Sequence, residues 1–383
     1  MLKLRRVRLL MGLFITLAML AGACGSDEPA VQADEPVDQT DAPAVQADEP
    51  VDQTEAPAVQ ADEPVVETAA PDDDGPLFIY LPPTPIGSNP FLELGDKGTR
   101  EASERLGGEY KIFESTDLNS RRANLEAAVA ENPDIIVMTT FDFLDLSAEF
   151  SAAHPDQEFI LIDACPFPPA ANLHCGVFRE QEAAYLLGIM AGSLSETGNI
   201  GSVVALDIPF LHRYSDSFAL GAQSVNADVT DAQVFIGGDN PFVDPARAKE
   251  QTLALVAQGV DHIFAVGAGS NGGVFEAASE NGVFAYGVDI NECPTAPGAV
   301  VDNSLKLVDV VVNQLIDAVL AGTAEGVVSF GLAEGATGVI ALQSDVADSQ
   351  CLIADYPDII AAVQAAQDDI ISGDLVVPDP LFG

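Results

Sequence analysis

The chain has 383 residues, which is enough for two lobes of ordinary domain size. It carries 60 acidic residues against 15 basic ones, and its formal net charge at pH 7 is −45. A surface this acidic repels nucleic acid and anionic lipid, so no nucleic-acid partner is expected and polyanionic ligands such as nucleotides are disfavoured. Basic residues are so scarce that a lysine beside a binding edge, such as Lys306, becomes a candidate for function.

Residues 1–23 have the pattern of a bacterial lipoprotein signal peptide. A basic segment precedes the apolar run 9–20, which is too short for a comfortable membrane span. Ala21-Gly22-Ala23-Cys24 then resembles a lipobox, so we expect cleavage before Cys24 and lipidation of its thiol. This predicts a protein anchored by lipid at the extracytoplasmic face of the cell membrane. The alternative is ordinary cleavage, with Cys24 left as a free thiol.

Residues 24–76 predict a disordered acidic linker. A near-identical, proline-bearing repeat begins at Pro43 and again at Pro57, and an earlier copy includes Ala30. The segment has no aromatic residue and cannot bury enough apolar surface to offset its chain entropy. Charge repulsion and proline favour an extended chain, so we interpret it as a tether between the membrane and the folded part.

From Leu77 onward, short apolar runs alternate with amphipathic segments. The predicted strands are 77–82, 110–113, 134–138, 159–162, 201–205, 234–236, 263–266, 284–288 and 327–330. The predicted helices are 91–106, 121–130, 144–153, 183–194, 210–225, 245–258, 274–280, 305–320 and 359–371. On the eighth of these helices, Lys306 has Asp302 and Asp309 at pairing distance along the chain, so an exposed ion pair is one interpretation of this lysine.

The alternation of strands and helices predicts an α/β fold with parallel sheets that are covered on both faces. There are too many strands for one modest sheet, so we expect two Rossmann-like lobes with a cleft between them. We place the first lobe at about 77–177 plus 290–325, and the second at about 178–289 plus 326–383.

The segment Gly259–Asp289 shows the strand, turn, helix and strand most clearly. Gly267, Gly269 and Gly272 follow a strand and precede a helix, which is the spacing of a dinucleotide-binding fingerprint. We prefer a turn whose backbone N–H groups face a polar ligand. The remaining alternative is a turn that only lets the helix and the sheet pack closely. Asp289 ends the next strand, where open α/β sheets bind ligands.

Four cysteines follow Cys24, and an even number in an exported protein favours disulfides. A bridge between Cys165 and Cys175 closes a short loop, which leaves Cys293 to pair with Cys351. Metal binding is the alternative, but no C-x-x-C or H-x-x-x-H spacing is present, so we expect no metal. The histidines are scattered and form no pattern with a nucleophile, so we expect neither enzyme activity nor a cofactor.

Several motifs from Phe178 onward resemble, in order, those of the basic membrane protein (BMP) family: FREQEAAYLLGIMAG, TGNIGSVVALDIPFLHRYSDSFALGAQ, VDPARAKEQTLALVAQGVDHIFAVGAGSNGGVFEAASENGVFAYGVD and SLKLVDVVV. The similarity extends over roughly Leu77 to Pro378. Members of this family are lipoprotein receptors of ABC importers and include a purine nucleoside receptor branch. The resemblance implies a type I periplasmic-binding-protein fold, with several hinge crossovers and the ligand in the cleft.

The resemblance also implies which residues bind the ligand. In nucleoside-binding relatives an aromatic residue near the first helix stacks on the base, and it corresponds to Phe91. The aspartate and lysine that contact the ribose hydroxyls correspond to Asp289 and Lys306. Further positions of the family's site correspond to Asp163, Tyr214, Gly267 and Gly269. The acidic pair before the family's aromatic residue is replaced near Gly87 to Asn89, and the asparagine after it is Leu92.

Structural interpretations of the same residues stay open at this point. Phe91 and Tyr214 also fit core packing on their helices, because apolar residues at helical spacing usually face the core. Asp163 and Asp289 also fit helix caps or turns, which short carboxylates favour.

Together these features predict an extracytoplasmic, lipid-anchored solute-binding protein that delivers a small neutral ligand, a nucleoside, to an ABC importer. Its partners are then the ligand, the transporter permease and the membrane, through the lipid on Cys24. A receptor for a sugar or another polar metabolite is the alternative within this class, and the lack of tryptophan argues against it. A nicotinamide-dependent enzyme and a surface lipoprotein for signalling or adhesion are the alternatives from other classes.

Overall fold

The computed structural model describes residues 75–381. The predicted signal peptide, Cys24 and the repeats of the linker lie outside the described residues. The strands are β1 Leu77–Leu81, β2 Glu109–Ile112, β3 Ile135–Thr139, β4 Glu158–Ile162, β5 Leu173–Phe178, β6 Asn199–Val204, β7 Thr230–Phe235, β8 His262–Val266, β9 Phe284–Asp289, β10 Val300–Lys306, β11 Val327–Phe330 and β12 Thr337–Val339. The helices are α1 Pro90–Leu106, α2 Leu118–Ala130, α3 Leu144–Ala153, α4 Glu180–Leu194, α5 Pro209–Val225, α6 Pro245–Val256, α7 Asn271–Asn281, α8 Val308–Leu320 and α9 Pro357–Ser372.

Two six-stranded sheets organise these elements, one in each lobe. The first sheet has the order β11-β5-β4-β3-β1-β2, and its neighbouring strands are all parallel. The second has the order β12-β10-β9-β8-β6-β7, and only the edge strand β12 is antiparallel to its neighbour. The predicted α/β class and the two lobes are therefore confirmed.

The strands form because apolar runs are buried on both faces of each sheet. Every residue of β3 and β8 is buried. In the first lobe one core cluster includes Phe78, Ile160 and Val311, and another includes Leu125 on the opposite face of the sheet. In the second lobe a single extended cluster surrounds the sheet. Helices thus cover both sheets, and the carboxyl ends of the strands are left for a ligand.

The chain passes between the two sheets three times, after β5, after β10 and after β11. The predicted lobe boundaries are therefore wrong for β10, which lies in the second sheet beside β9, and for β11, which lies in the first beside β5. The crossing occurs at the end of β10, at Leu307, so of the predicted first-lobe segment 290–325 the part from α8 onward belongs to the first lobe. The predicted helix over 305–320 begins later for the same reason, and Lys306 is the last residue of a strand.

Both predicted disulfides are present in the structure. Cys165 and Cys175 join the segment after β4 to β5, with their Cα atoms 5.6 Å apart. Cys293 and Cys351 join the segment after β9 to the turns that precede α9, with their Cα atoms 5.0 Å apart. Each bridge therefore ties a loop to the lobe on which it packs. Among the helices of residues 75–381, none combines the length and the apolar character that crossing a membrane requires.

Candidate ligand-binding cleft

A cavity lies between the lobes, at the carboxyl ends of strands from both sheets. The cavity has a volume of about 100 Å³, which suits one small molecule rather than a polymer. The first lobe lines it with Pro83, Thr84, Asn89, Phe91, Leu92, Thr140, Phe141, Asp142 and Asp163. The second lobe lines it with Phe210, Leu211, Tyr214, Asn240, Phe242, Val266, Ala268, Val288, Asp289 and Lys306.

Lys306 is the buried cation of this cavity. It is the last residue of β10, is only 3% exposed, and lies where the chain leaves the second lobe. Its Nζ lies 2.5 Å from Asp163 Oδ1 and 2.9 Å from Glu180 Oε1. Burial alone would lower the pKa of Lys306, but the two carboxylates outweigh it and hold that pKa well above its ordinary value. Lys306 is therefore an ammonium held between the lobes.

Four aromatic rings surround the same ammonium. The Nζ of Lys306 lies 5.0 Å from the ring centroid of Phe91 and 4.8 Å from that of Phe178, both in the first lobe. It lies 5.3 Å from that of Phe210 and 5.9 Å from that of Tyr214, both on α5 of the second lobe. At these distances the faces of the rings attract a cation. The lysine is thus fixed by both lobes at once.

Asp289 ends β9 and has a left-handed backbone with a φ of 70°. It is 5% exposed, and its carboxylate accepts no hydrogen bond from any other residue between 75 and 381. Burial is the main cause that raises its pKa to about 7; Lys306 opposes the rise, whereas Asp163 and Glu180 add to it. A carboxyl group that caps no helix and closes no turn is available to a ligand, which argues against the cap interpretation.

The glycine turn contacts the cavity differently from the prediction. Ala268 lines the cavity, whereas Gly267 and Gly269 do not. The amide of Gly267 donates to Asn271 Oδ1 at 2.9 Å, so this N–H is already satisfied within the second lobe. A Cβ atom on Gly269 would lie 3.1 Å from the carbonyl oxygen of Ser88 in the first lobe. Glycine suits this position because the two backbones approach closely across the cleft, and a larger residue would require a small shift of one of them.

The structure also brings to the cavity residues that the sequence analysis missed. Asp142 follows β3 and is held by Arg121 at 2.9 Å and by Thr140 Oγ1 at 3.0 Å. The position of Asp142 just beyond a strand was a usable signal, the same one that indicated Asp289. Phe210 carried no such signal, because an aromatic residue at the start of a helix is ordinary core material.

No cluster of three or more potential metal ligands occurs within residues 75–381. The cavity's polar groups are instead hydrogen-bonding groups of both kinds, since a carboxylate accepts and an ammonium donates. Aromatic rings supply its apolar wall. Such a set suits a small ring-bearing molecule with hydroxyl groups.

The family model for the ABC transporter substrate-binding protein PnrA-like group, called Bmp, matches residues 79–366. The chain belongs to the Bmp family. Basic membrane protein A of Borreliella burgdorferi is 28% identical over 260 residues, which are 65% of this chain and 75% of that protein. A Lactococcus lactis protein named ABC transporter nucleoside-binding protein BmpA is 25% identical over 73% of this chain and 81% of its own length.

Solved structures support the same assignment for the fold of this Bmp protein. An ABC transporter solute-binding protein from Aeropyrum pernix K1 superposes with a TM-score of 0.68 and is 26% identical, covering 79% of this chain and 93% of that one. The fold is that of the periplasmic solute-binding proteins, as the resemblance implied. Bmp proteins are extracytoplasmic substrate-binding proteins of ABC transporters, so membership implies a small-molecule ligand and a transporter partner.

Proposed function

We propose that this protein binds a nucleoside in the cleft and delivers it to an ABC importer. The observation that carries the proposal is the meeting of Phe91, Asp289 and Lys306 around one cavity between the lobes. A relative named as nucleoside-binding supports the ligand class. The chain acts in this proposal as a receptor rather than as an enzyme.

In the proposed complex Asp289 and Lys306 hold the hydroxyl-bearing edge of the sugar. Asp289 accepts from a hydroxyl, and Lys306 donates to its neighbour, so vicinal hydroxyls are satisfied from both sides. The base packs on the ring of Phe91, which lines the cavity from α1. Tyr214 and Asp163 complete the site by fixing Lys306.

The charges of the cavity favour a neutral ligand. Asp142, Asp163 and Asp289 line it, whereas Lys306 is the one lysine or arginine among its lining residues in the described part of the chain. A phosphate group would meet carboxylates and no uncommitted cation, since Lys306 is already paired with Asp163 and Glu180. A nucleoside is therefore preferred to its phosphate ester.

Closure of the lobes follows from the same contacts. Phe91 belongs to the first lobe and Asp289 to the second, so the ligand gains contacts with both only when the cleft is closed. A ligand shifts such an equilibrium by its differential affinity for the two states. The proposal thus includes a closed complex that the transporter recognises.

The proposal places the protein at the extracytoplasmic face of the membrane, lipid-anchored through Cys24. Its support is the signal-peptide pattern of residues 1–23 and the lipobox-like Ala21-Gly22-Ala23-Cys24. Mass spectrometry of the mature N-terminus tests it. A diacylglyceryl-modified Cys24 is expected, and an unmodified Cys24 or a different first residue would refute the anchor.

A thermal-shift screen followed by calorimetry tests the ligand class. The probes are adenosine, guanosine, inosine, cytidine, ribose, glucose, AMP and NAD. A nucleoside should stabilise the folded protein by about 2.7 kcal/mol at a hundredfold excess over its Kd, while AMP should not. Stabilisation by a free sugar alone, or by NAD alone, would replace the proposal with a sugar receptor or an enzyme. No response to any probe would favour a surface lipoprotein.

A further inference from the structure

A chain of five charged residues runs from the cavity to the C-terminal tail. We call it the ion-pair chain, and its members are, in spatial order, Asp163, Lys306, Glu180, Arg213 and Asp379. Lys306 pairs with Asp163 and Glu180 as described above. Arg213 Nη1 lies 3.2 Å from Glu180 Oε2, and its Nε and Nη2 donate to the two oxygens of Asp379 at 2.9 and 2.6 Å. The charges alternate in sign along its whole length.

The ion-pair chain holds two of the three crossovers between the lobes. Lys306 is the last residue before the crossing at Leu307. Glu180 is the first residue of α4, directly after the crossing from β5. Arg213 also donates to the carbonyl oxygen of Phe178 at 3.0 Å. It therefore contacts the residue that ends β5 as well as Glu180, which begins α4 after the same crossover. Any change in Arg213 therefore acts on segments that connect the two lobes.

The inner residues of the ion-pair chain are shielded from solvent. Glu180 is 1% exposed and Arg213 is 6% exposed. A buried charged group that loses its partner cannot be solvated by water, so it must pair with another group. If Asp379 loses its charge, the guanidinium of Arg213 should pair more closely with Glu180, which is the other carboxylate that it contacts. Glu180 is also a partner of Lys306, so the two cations then compete for it.

Asp379 lies at the outer end of the ion-pair chain, where a change reaches Arg213 first. It belongs to the segment beyond α9, and its side chain is 17% exposed. Both of its carboxylate oxygens accept from the guanidinium of Arg213, which is the bidentate geometry typical of an arginine–carboxylate pair. The tail is thus attached to the second lobe by a paired charge rather than by apolar packing alone.

We propose that Arg213 and Asp379 are positioning residues for the ligand, through which the C-terminal tail sets the position of Lys306 and the geometry of the hinge. The effect on ligand affinity rests on the proposed function, whereas the effect on the crossovers does not. The tail contacts no ligand in this proposal. It acts by keeping Glu180 shared between Arg213 and Lys306.

The test is Asp379→Asn in the full chain, with Asp374→Asn as the matched control. Asp374 lies on the same tail, but its side chain contacts Ser372 and not Arg213. Calorimetry with inosine should show affinity reduced roughly tenfold in Asp379→Asn, within the range that coupled residues of one network show. Asp379→Glu, which keeps the charge, should recover most of the loss, and Asp374→Asn should bind like the parent.

Hydrogen exchange without ligand gives the second readout. The amides of Arg179 and Leu307 donate to Phe330 and Ala336 across the crossovers, at 2.7 and 2.9 Å. In Asp379→Asn they should exchange roughly threefold faster or more, while the amides of β7 stay unchanged. Uniformly faster exchange would mean general destabilisation and would overturn the proposal. So would exchange and affinity equal to those of Asp374→Asn. If the parent binds no inosine, the proposed function fails for this ligand, and the exchange at the two crossovers alone decides.

Discussion

Asp163 and Asp289 occupy equivalent places in the two lobes, yet their environments differ. Asp163 directly follows β4, and Asp289 is the last residue of β9. Each has a left-handed backbone, with φ of 78° and 70°. Asp163 is already paired with Lys306. Asp289 lies in the same cavity without a hydrogen bond from residues 75–381. The carboxylate of Asp163 is therefore committed to an ion pair, whereas that of Asp289 is left to accept from a ligand in the proposed complex.

This difference assigns separate tasks to two residues of one type. The Asp163–Lys306 pair fixes the cation before a ligand arrives, so no reorganisation of the lysine is required on binding. Asp289 is held in a backbone conformation that few residues other than glycine adopt, and such strain is common at functional sites. The two aspartates therefore have to be replaced one at a time, because replacing both together would not separate these two tasks.

The largest expected effect comes from Lys306→Met, which removes the cation between the lobes. Asp163 and Glu180 are left buried beside each other without their partner, so the free energy of unfolding should fall by about 3–5 kcal/mol. Urea denaturation measures it. Lys249→Met is the control, because its partners Glu276 and Glu280 are exposed and solvent screens the pair, so its loss should change the stability far less. Equal losses in both variants would contradict the structural role of Lys306.

The next effect separates the two aspartates directly. Asp163→Asn should lower the stability of the ligand-free protein by about 1–3 kcal/mol, because it weakens a buried ion pair. Asp289→Asn removes no partner and should leave that stability undiminished at pH 7. It should weaken the binding of the proposed nucleoside by about 2 kcal/mol, since a ligand hydroxyl then loses its carboxylate acceptor. Denaturation and calorimetry on both variants should give this crossed pattern; parallel behaviour would show that the two sites are equivalent.

The raised pKa of Asp289 predicts a pH dependence with a definite sign. A folded-state pKa of about 7 against an unfolded value of about 4 means that the folded protein holds the proton more tightly. The stability that this group contributes is fully present below about pH 4 and is lost as the pH rises through about 7. Each group of this kind adds a slope of at most about 1.4 kcal/mol per pH unit.

Other buried carboxyl groups contribute to the same dependence of stability on pH. Burial raises the pKa of Asp302 to about 7 and that of Glu292 to about 8, with the same sign. Asp289→Asn should therefore reduce the slope between pH 4 and 7 and not abolish it. Denaturation at a series of pH values in both proteins measures the difference. An unchanged slope would show that Asp289 is ionised over the whole range.

Much of the fold could be predicted from the sequence because local patterns and tertiary burial agree. β8, α7 and β9 lie close to their predicted positions, since apolar runs and a glycine stop signal coincide with what the core requires. β10 was missed because it contains Asp302, which is buried and has no apolar character. Both of its oxygens accept backbone amides, from Ile340 and Ala341 at 2.8 Å. Only the tertiary structure supplies those donors, so the pattern along the chain could not indicate them.

Apart from the family resemblance, the site was predictable where a residue ends or follows a strand and hidden where it lies on a helix. Asp289 is of the first kind. Glu180 reads as an ordinary acidic residue in the first turn of a helix, a position that the helix dipole favours. Arg213 reads as a solvated residue of α5, yet it is buried by a tail 166 residues further along the chain. Contacts of that separation leave no local trace in a single sequence.

The smallest expected effect concerns Phe91, which shows whether the cavity's aromatic wall acts on the ligand or only on Lys306. Its ring lines the cavity and lies 5.0 Å from the Lys306 ammonium. Phe91→Leu keeps an apolar side chain in place and removes the aromatic face. If the base stacks on this ring, nucleoside affinity should fall by about 1 kcal/mol, and the affinity for any sugar that binds should stay the same. Phe178→Leu is the matched control, because Phe178 lies 4.8 Å from the same ammonium but does not line the cavity. Its loss should cost stability and leave the ratio of nucleoside to sugar affinity unchanged. Equal ratios in both variants would mean that Phe91 serves the ion-pair chain, and the aromatic contact with the base would have to come from Phe210 or Tyr214 of the second lobe.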